Sequence, residues 1–146
     1  MTPARITVAA VVSHDERFLL VREHSDRQIV INQPAGHLEP GEDLVTAVIR
    51  ETLEETAWHI KPTHLLGIYR WTNPISKLTY LRFAFVAERL YQVPEQPLDQ
   101  GIVEALWLSL AEVEAARAIL RSPMVTQCIS DYLAGTRYPL TLLKEL

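Results

Sequence analysis

Three glutamates lie close together near the middle of the chain, at Glu51, Glu54 and Glu55. In a helix, offsets of three and four residues place them on one side, within about 100° of arc. Arg50 is the only basic residue between positions 43 and 57, although like charges at these offsets repel by roughly a few tenths of a kcal/mol per pair. The cluster therefore indicates either a solvated acidic face or a site for a hard cation such as Mg²⁺, which takes oxygen ligands and bridges to phosphates. The charge pattern alone leaves both interpretations open.

The spacing of the residues around this cluster favours the cation site. The fixed positions are Gly36, Glu42, Arg50, Glu51, Glu54 and Glu55, with five residues between the first two and seven between the next two. This pattern resembles the Nudix box, Gly-x5-Glu-x7-Arg-Glu-aliphatic-x-Glu-Glu-x-Gly-aliphatic. Such a set of matches without a gap arises by chance roughly once in 10⁷ windows, at a usage of about 6% per residue type.

Three positions depart from the Nudix box. Thr52 stands at an aliphatic position, Ala57 replaces the late glycine, and Trp58 replaces the final aliphatic residue. Ala57 must then adopt a backbone turn that glycine makes easily, at a cost of about 1 kcal/mol, or the helix must end differently. None of the three is an expected metal ligand, so they affect the helix end and leave the chemistry intact.

Short runs outside the box resemble the bacterial NudJ phosphatase branch of the family. They lie at 32–39, 80–83, 121–123 and 137–140, and their order extends the likeness over nearly the whole chain. The resemblance implies a hydrolase that cuts the phosphoanhydride bonds of nucleoside di- and triphosphates, or of the pyrophosphates of thiamine and its hydroxymethylpyrimidine precursor. It also implies that orthophosphate is the released product.

The resemblance implies a role for each residue of the box. A loop–helix–loop would hold one or more Mg²⁺ ions, with Mn²⁺ as a substitute. The implied metal ligands are Glu51, Glu54, Glu55 and the backbone carbonyl of Gly36. Glu54 and Glu55 are the first choices, and Glu51 is a further ligand or the base that prepares the attacking water. Arg50 completes the catalytic set by holding a carboxylate in a bidentate pair, with Glu42 as the expected partner.

The same chemistry follows from the charge of a diphosphate. A diphosphate repels a hydroxide nucleophile, whereas metal ions offset that charge, lower the pKa of bound water and align attack with departure. Carboxylates supply both metal ligands and a proton acceptor. Glu42 and Glu104 are second-rank acidic candidates, and the alternative for Glu104 is a solvated residue at a strand edge.

Substrate recognition is expected from side chains outside the carboxylate cluster. The candidates for it are Gln33, His37, Trp71, Tyr80 and Arg82. The polar members could bind a ring edge or phosphate oxygens, with ordinary solvated or loop positions as the alternative. Four aromatic residues lie on neighbouring strands, namely Tyr69, Trp71, Tyr80 and Phe83. Two of them are expected in the core, which leaves the others free to stack on a flat ring.

Composition limits the possible partners. The chain has 146 residues and a net charge of −4, with scattered Lys and Arg, which predicts one domain over residues 1–146 and no binding of nucleic-acid polymers. No apolar run is long enough to span a bilayer, and the first residues lack the pattern of a signal peptide. We expect a cytoplasmic monomer or homodimer that binds a small phosphoanhydride substrate and no membrane. The single cysteine, Cys128, is expected to be a buried structural thiol.

The periodicity of apolar residues predicts the elements that position these groups. Strands are predicted at 6–12, 18–22, 30–33, 65–71, 80–86 and 103–108, with a hairpin turn at 13–16 and a loop at 34–41. Helices are predicted at 43–57, where Asp43 suits the start, and at 111–120 and 123–134. This order indicates an α+β sandwich with a mixed β-sheet between helices, which is also the fold that the Nudix resemblance implies.

Two other functions are compatible with the same pattern. The first is an ADP-ribose or dinucleotide pyrophosphatase, whose products would contain no free phosphate. The second is a non-catalytic Nudix domain that senses a nucleotide or binds a partner. Such domains typically lose box carboxylates, whereas this chain keeps all of them.

Overall fold

A computed structural model describes residues 2–146. The strands are β1 (Arg5–His14), β2 (Arg17–Ser25), β3 (Gln28–Asn32), β4 (Ala35–His37), β5 (Trp58–Thr72), β6 (Thr79–Gln92) and β7 (Ile102–Ser109). The helices are α1 (Leu44–Thr56), α2 (Leu110–Ala115) and α3 (Met124–Leu133), with short 3-10 turns at Arg117–Ile119 and Leu140–Leu142. In the described part of the chain, no helix is long and apolar enough to cross a membrane.

The strands form a mixed sheet with a helix packed on each face. Along the sheet the order is β3-β2-β1-β6-β5, while β4 also pairs with β1 and β7 also pairs with β2. Strands β1 and β6 run parallel, and their neighbours pair antiparallel. One apolar cluster joins the sheet to Ala47 and Val48 of α1, and a second joins it to Cys128 and Ile129 of α3. The predicted α+β sandwich is therefore confirmed, and Cys128 is buried as expected.

Three of the predicted strand and loop boundaries were wrong, and one of them is the end of β6, which was expected at Val86 but lies at Gln92. Residues 35–37 were expected in a loop but form β4, because their backbone pairs antiparallel with β1, with Ala35 opposite Ala9 and His37 opposite Thr7. Strand β5 was expected to begin at Leu65 but begins at Trp58. Pro62 is tolerated within it because β5 lies at the sheet edge and its register shifts between Pro62 and His64.

Helix α1 begins and ends as its sequence indicates. The Asp43 carboxylate accepts a hydrogen bond of 2.7 Å from the Thr46 N–H, which caps the helix start. At the other end Ala57 adopts the left-handed conformation with φ 64°, and its N–H bonds to the Leu53 carbonyl. The chain therefore makes the turn expected at the missing glycine. Thr52 is fully buried, and its hydroxyl has no hydrogen-bond partner among the described residues.

The C-terminal helices are shorter than predicted. The segment 111–120 was expected to form one helix, but α2 ends at Ala115 and a 3-10 turn follows. Ser109 caps α2 through a reciprocal pair of hydrogen bonds with Glu112. The break places Leu120 beside Ile31 of β3, so pairing with the sheet replaces the last turn of the expected helix.

Candidate active site

The inner face of α1 carries two buried carboxylates. Glu51 is only 9% exposed and Glu55 only 8%, although ionised side chains are costly to bury. Both point from α1 toward β4, where Gly36 faces Glu51. A methyl group at Gly36 would overlap the Glu51 carboxylate. Any side chain at position 36 would therefore displace the Glu51 carboxylate from this position.

Arg50 ties the box loop to the helix. Its Nε donates to Glu42 Oε2 at 2.7 Å and one terminal nitrogen donates to Glu42 Oε1 at 2.9 Å, which is the bidentate pair expected from the sequence. The other terminal nitrogen donates to Glu51 at 2.9 Å and to Glu54 at 3.2 Å. Hydrogen bonding to Glu42 raises the pKa of Arg50, so the guanidinium stays charged and fixes three carboxylates at once.

Glu51 and Glu54 meet a third carboxylate that the sequence did not single out. One oxygen each from Glu51, Glu54 and Asp99 lies within 4.8 Å of the other two. Asp99 is brought there by its backbone N–H, which donates to the Glu54 carbonyl at 2.9 Å. Burial raises the pKa of both glutamates, and the Asp99 charge adds to this effect at Glu54. Close oxygen donors whose negative charges repel one another fit a hard divalent cation.

Glu55 occupies a separate position beside this group. Its carboxylate accepts a hydrogen bond of 3.0 Å from the Ala35 N–H, immediately before Gly36. Burial raises the pKa of Glu55 to about 9, and the neighbouring negative charges of Glu23 and Glu51 act in the same direction. A buried carboxylate of this kind is either protonated or balanced by a nearby cation.

We predict that Glu55→Gln stabilises the metal-free protein increasingly as pH rises. The pKa of Glu55 in the folded state lies above its value in the unfolded state. The stability that depends on a protonated Glu55 is therefore fully present below pH 4.5 and is lost as pH rises through about 9. Glutamine cannot ionise, so the variant should exceed the wild type by more than about 1 kcal/mol in free energy of unfolding at pH 9. Denaturant unfolding of the chelator-treated proteins at pH 5, 7 and 9 measures this gap in free energy of unfolding between the variant and the wild type. A gap that does not widen, or that widens equally for the exposed control Glu88→Gln, would contradict the burial argument.

The second-rank candidate Glu104 lies outside the carboxylate group. It forms a 2.9 Å ion pair with Arg22 on the neighbouring strand, and both side chains are substantially exposed. This placement matches the strand-edge alternative that the sequence left open. Glu42, by contrast, joins the site through Arg50.

Gln33 and Arg82, proposed from the sequence as substrate contacts, lie in a buried polar network. Arg82 is 3% exposed and donates to Gln33 Oε1 at 2.8 Å and to Asn32 Oδ1 at 3.0 Å. Gln33 donates in turn to the Val125 carbonyl of α3 at 2.9 Å. Their hydrogen bonds within the protein therefore hold the segment before Gly36, and leave little of either side chain for a substrate.

The aromatic candidates divide as expected. Tyr69 and Phe83 pack against the two core clusters. Trp71 and Tyr80 lie opposite each other on β5 and β6, with rings stacked at 6.1 Å between centroids and 23° between planes. They are half-buried, so part of this stacked pair is accessible to a ligand.

His37 lies on the same face of the sheet as the aromatic pair. Its strand partner is Thr7, and Arg5, two residues earlier on β1, is paired with Tyr80. Residues opposite each other, and residues two apart on one strand, point to the same face. Partial burial lowers the pKa of His37, and the charges of Arg5 and Arg121 act in the same direction.

Three comparisons with known proteins agree with this geometry. The NUDIX domain family matches residues 3–128. The phosphatase NudJ of Escherichia coli K12 is 41% identical over 145 residues, which cover 99% of this chain and 94% of that protein. A NUDIX hydrolase from Nitrosomonas europaea matches at TM-score 0.96 and 48% identity, over 99% of this chain and 98% of that chain.

A more distant likeness concerns the fold alone. The NUDIX domain of Shewanella oneidensis NrtR, solved in complex with ADP ribose, matches at TM-score 0.72 but only 21% identity, over 92% of this chain and 90% of that chain. The family match and the NudJ likeness both extend over most of the sequence, and they include the carboxylates described above. The chain therefore belongs to the Nudix family and is a hydrolase of phosphoanhydride bonds.

Proposed function

We propose that this protein is a Mg²⁺-dependent phosphatase that releases orthophosphate from nucleoside di- or triphosphates, or from thiamine-type pyrophosphates. The observation that carries the proposal is the group formed by Glu51, Glu54 and Asp99, whose oxygens lie within 4.8 Å of one another. The similarity to phosphatase NudJ over 99% of the chain supports the choice of product and substrate class.

The residues of the site fit a divalent cation. Glu51, Glu54 and Glu55, with the Gly36 carbonyl, are the ligands we propose, and Asp99 joins them because of its place beside Glu54. A bound Mg²⁺, or Mn²⁺ in its place, would offset phosphate charge and lower the pKa of a water molecule. Arg50 is the only basic residue on α1, and it is already paired with three carboxylates. The negative charge of the phosphate is therefore left for the ion to balance.

We assign proton acceptance and the positioning of the carboxylates to side chains of the protein itself. We propose that Glu51 accepts a proton from the attacking water or binds the ion, because its buried carboxylate lies between Arg50 and Gly36. Arg50 keeps Glu42, Glu51 and Glu54 in fixed positions, so that little reorganisation is needed during reaction. Gln33 and Arg82 act from further away, by holding the strand that precedes Gly36.

The organic part of the substrate is assigned to Trp71 and Tyr80. From His37 to Trp71 the sheet face crosses three strand spacings, β4 to β1, β6 and β5, and two residues along the strands, or about 16 Å in all. A flat ring against the aromatic pair would leave the diphosphate to extend past His37 and around β4 to the carboxylates of α1, because Gly36 and His37 point to opposite faces of β4. Ring stacking fits a purine, a pyrimidine or the aminopyrimidine of thiamine equally well.

Product analysis tests the proposal. Purified protein with Mg²⁺ is incubated with nucleoside di- and triphosphates, thiamine pyrophosphate and ADP-ribose, and orthophosphate and pyrophosphate are detected separately. Orthophosphate from diphosphates is the expected result. Turnover of ADP-ribose without free phosphate would favour a pyrophosphatase instead, and folded protein without turnover of any compound would favour a nucleotide-sensing domain.

We further propose that residues 1–146 act as one catalytic domain in the cytoplasm, as a monomer or homodimer, without nucleic-acid or membrane partners. The net charge of −4 and the scattered basic residues support the exclusion of nucleic-acid polymers.

A further inference from the structure

Backbone hydrogen bonds hold Arg121 in place independently of the contacts of its side chain. Its N–H donates to the Ile31 carbonyl of β3 at 2.8 Å, and the preceding residue, Leu120, forms a parallel bridge with Ile31. The following residue, Ser122, is buried, and its hydroxyl accepts a hydrogen bond from the Met124 N–H at the start of α3. The run Arg121-Ser122-Pro123 thus fixes the arginine against the sheet.

The Arg121 side chain is anchored at one edge and open at the other. One terminal nitrogen donates to Glu23 Oε1 at 2.8 Å. Glu23 is only 12% exposed, whereas Arg121 is 40% exposed. A guanidinium carries five N–H donors in a planar fork, so an arginine with one anchored edge keeps donors for a second anion.

The backbone that holds Arg121 leads directly to the strand beside the carboxylates of α1. The Arg121 N–H donates to the Ile31 carbonyl of β3, and Ala35 of β4, four residues after Ile31, donates its N–H to Glu55. Glu23, which holds the guanidinium, lies on β2, the strand paired with β3. Arg121 is thus connected through one short segment to the carboxylates proposed to hold the ion.

Arg121 also supplies positive charge that a phosphate ligand requires. The chain is acidic overall, with a net charge of −4, and Arg50 already binds three carboxylates. A diphosphate needs direct donors in addition to the ion, since charge-assisted hydrogen bonds to phosphate are among the strongest available. A largely enclosed carboxylate such as Glu23 is costly unless it has a partner, and its partner here is Arg121.

We propose that Arg121 is a substrate-binding residue that donates hydrogen bonds to the phosphate oxygens of a diphosphate, and that Glu23 positions its guanidinium. This assignment rests on the proposed phosphatase function for its choice of ligand. It adds a phosphate contact from the loop before α3 to the residues of the Nudix box.

The test uses a diphosphate that lacks any ring. Methylenediphosphonate cannot be hydrolysed, so its binding in the presence of Mg²⁺ can be measured by calorimetry without turnover. Arg121→Gln is expected to weaken this binding about tenfold or more, and to raise KM for the best diphosphate substrate similarly while kcat changes by less than about threefold. Arg121→Lys should recover part of the loss because it keeps the charge but not the fork.

A matched control lies in the same region. Arg117 is 64% exposed and pairs with Glu114 at 2.8 Å, so Arg117→Gln removes the same charge without touching the proposed contact. Glu23→Gln should raise KM less than Arg121→Gln, because the guanidinium remains but loses its anchor. Trp71→Ala should leave methylenediphosphonate binding unchanged.

The possible failures are distinguishable. Unchanged methylenediphosphonate affinity in folded Arg121→Gln, or an equal loss in Arg117→Gln, would overturn the assignment of Arg121 even if the enzyme hydrolyses diphosphates. If the wild type hydrolyses no diphosphate, the proposed function fails, while selective loss of methylenediphosphonate binding in Arg121→Gln would still support Arg121 as an anion-binding residue.

Discussion

The variants Glu54→Gln and Glu55→Gln are each expected to lose at least about a hundredfold in kcat for orthophosphate release while remaining folded. Glutamine keeps the size of the side chain but removes the negative charge that balances a divalent cation. At Glu54 the change removes one of the three clustered carboxylates, so that only Asp99 and Glu51 keep a negative charge in the group. At Glu55 it removes the carboxylate beside the Ala35 N–H.

Circular dichroism and thermal unfolding establish that the two variants are folded before rates are compared. The exposed Glu88→Gln serves as a charge-matched control on β6 and should retain full activity. The required Mg²⁺ concentration should rise in the Glu54 variant, because the lost carboxylate belongs to the clustered group. Near-normal turnover in both variants would disprove the assignment of these carboxylates to the ion.

The second large effect is expected from Gly36→Ala. A methyl group there would overlap the Glu51 carboxylate, and Glu51 is held from the other side by Arg50. Either the Glu51 side chain must leave its position or β4 must move away from α1. Because both changes disturb the proposed ion site, kcat should fall by about a hundredfold or more, and the loss should exceed any change in thermal stability.

Gly41→Ala is the control that separates backbone strain from this collision. Gly41 has φ +78° and nothing within 4 Å of the position where a methyl group would be added, so alanine should cost about 1 kcal/mol of stability with activity retained. Wild-type kcat in Gly36→Ala, or an equal loss of activity in both alanine variants, would show that the collision with Glu51 is not what makes Gly36 important.

The sequence predicted those parts of the site that are local in the chain. The spacing from Gly36 through Glu55 places the box loop against α1, and the expected Arg50–Glu42 pair is present. The helix start at Asp43 and the turn at Ala57 also follow from local backbone rules. These features depend on residues within a few turns of one another, which is why pattern and spacing were sufficient.

Contacts between residues that are far apart in the chain could not be predicted from the sequence. Asp99 reaches Glu54 from a loop with no distinctive spacing, and Glu23 meets Arg121 from residues far apart in sequence. Arg82 resembles an ordinary strand arginine in the sequence, yet it is buried with two amide partners. Alternation along a strand gives the face on which a side chain lies, but not whether a helix or loop covers it.

Orthophosphate release by chelator-treated protein, measured as Mg²⁺ is restored, shows whether hydrolysis depends on a metal ion. We predict no release from a nucleoside diphosphate after chelation and full recovery with added Mg²⁺, because the carboxylates around Glu54 can serve a diphosphate only through a cation. Mn²⁺ should restore activity in the same assay. A rate that is unchanged by chelation, in protein shown to be metal-free, would show that hydrolysis does not need a cation at these carboxylates.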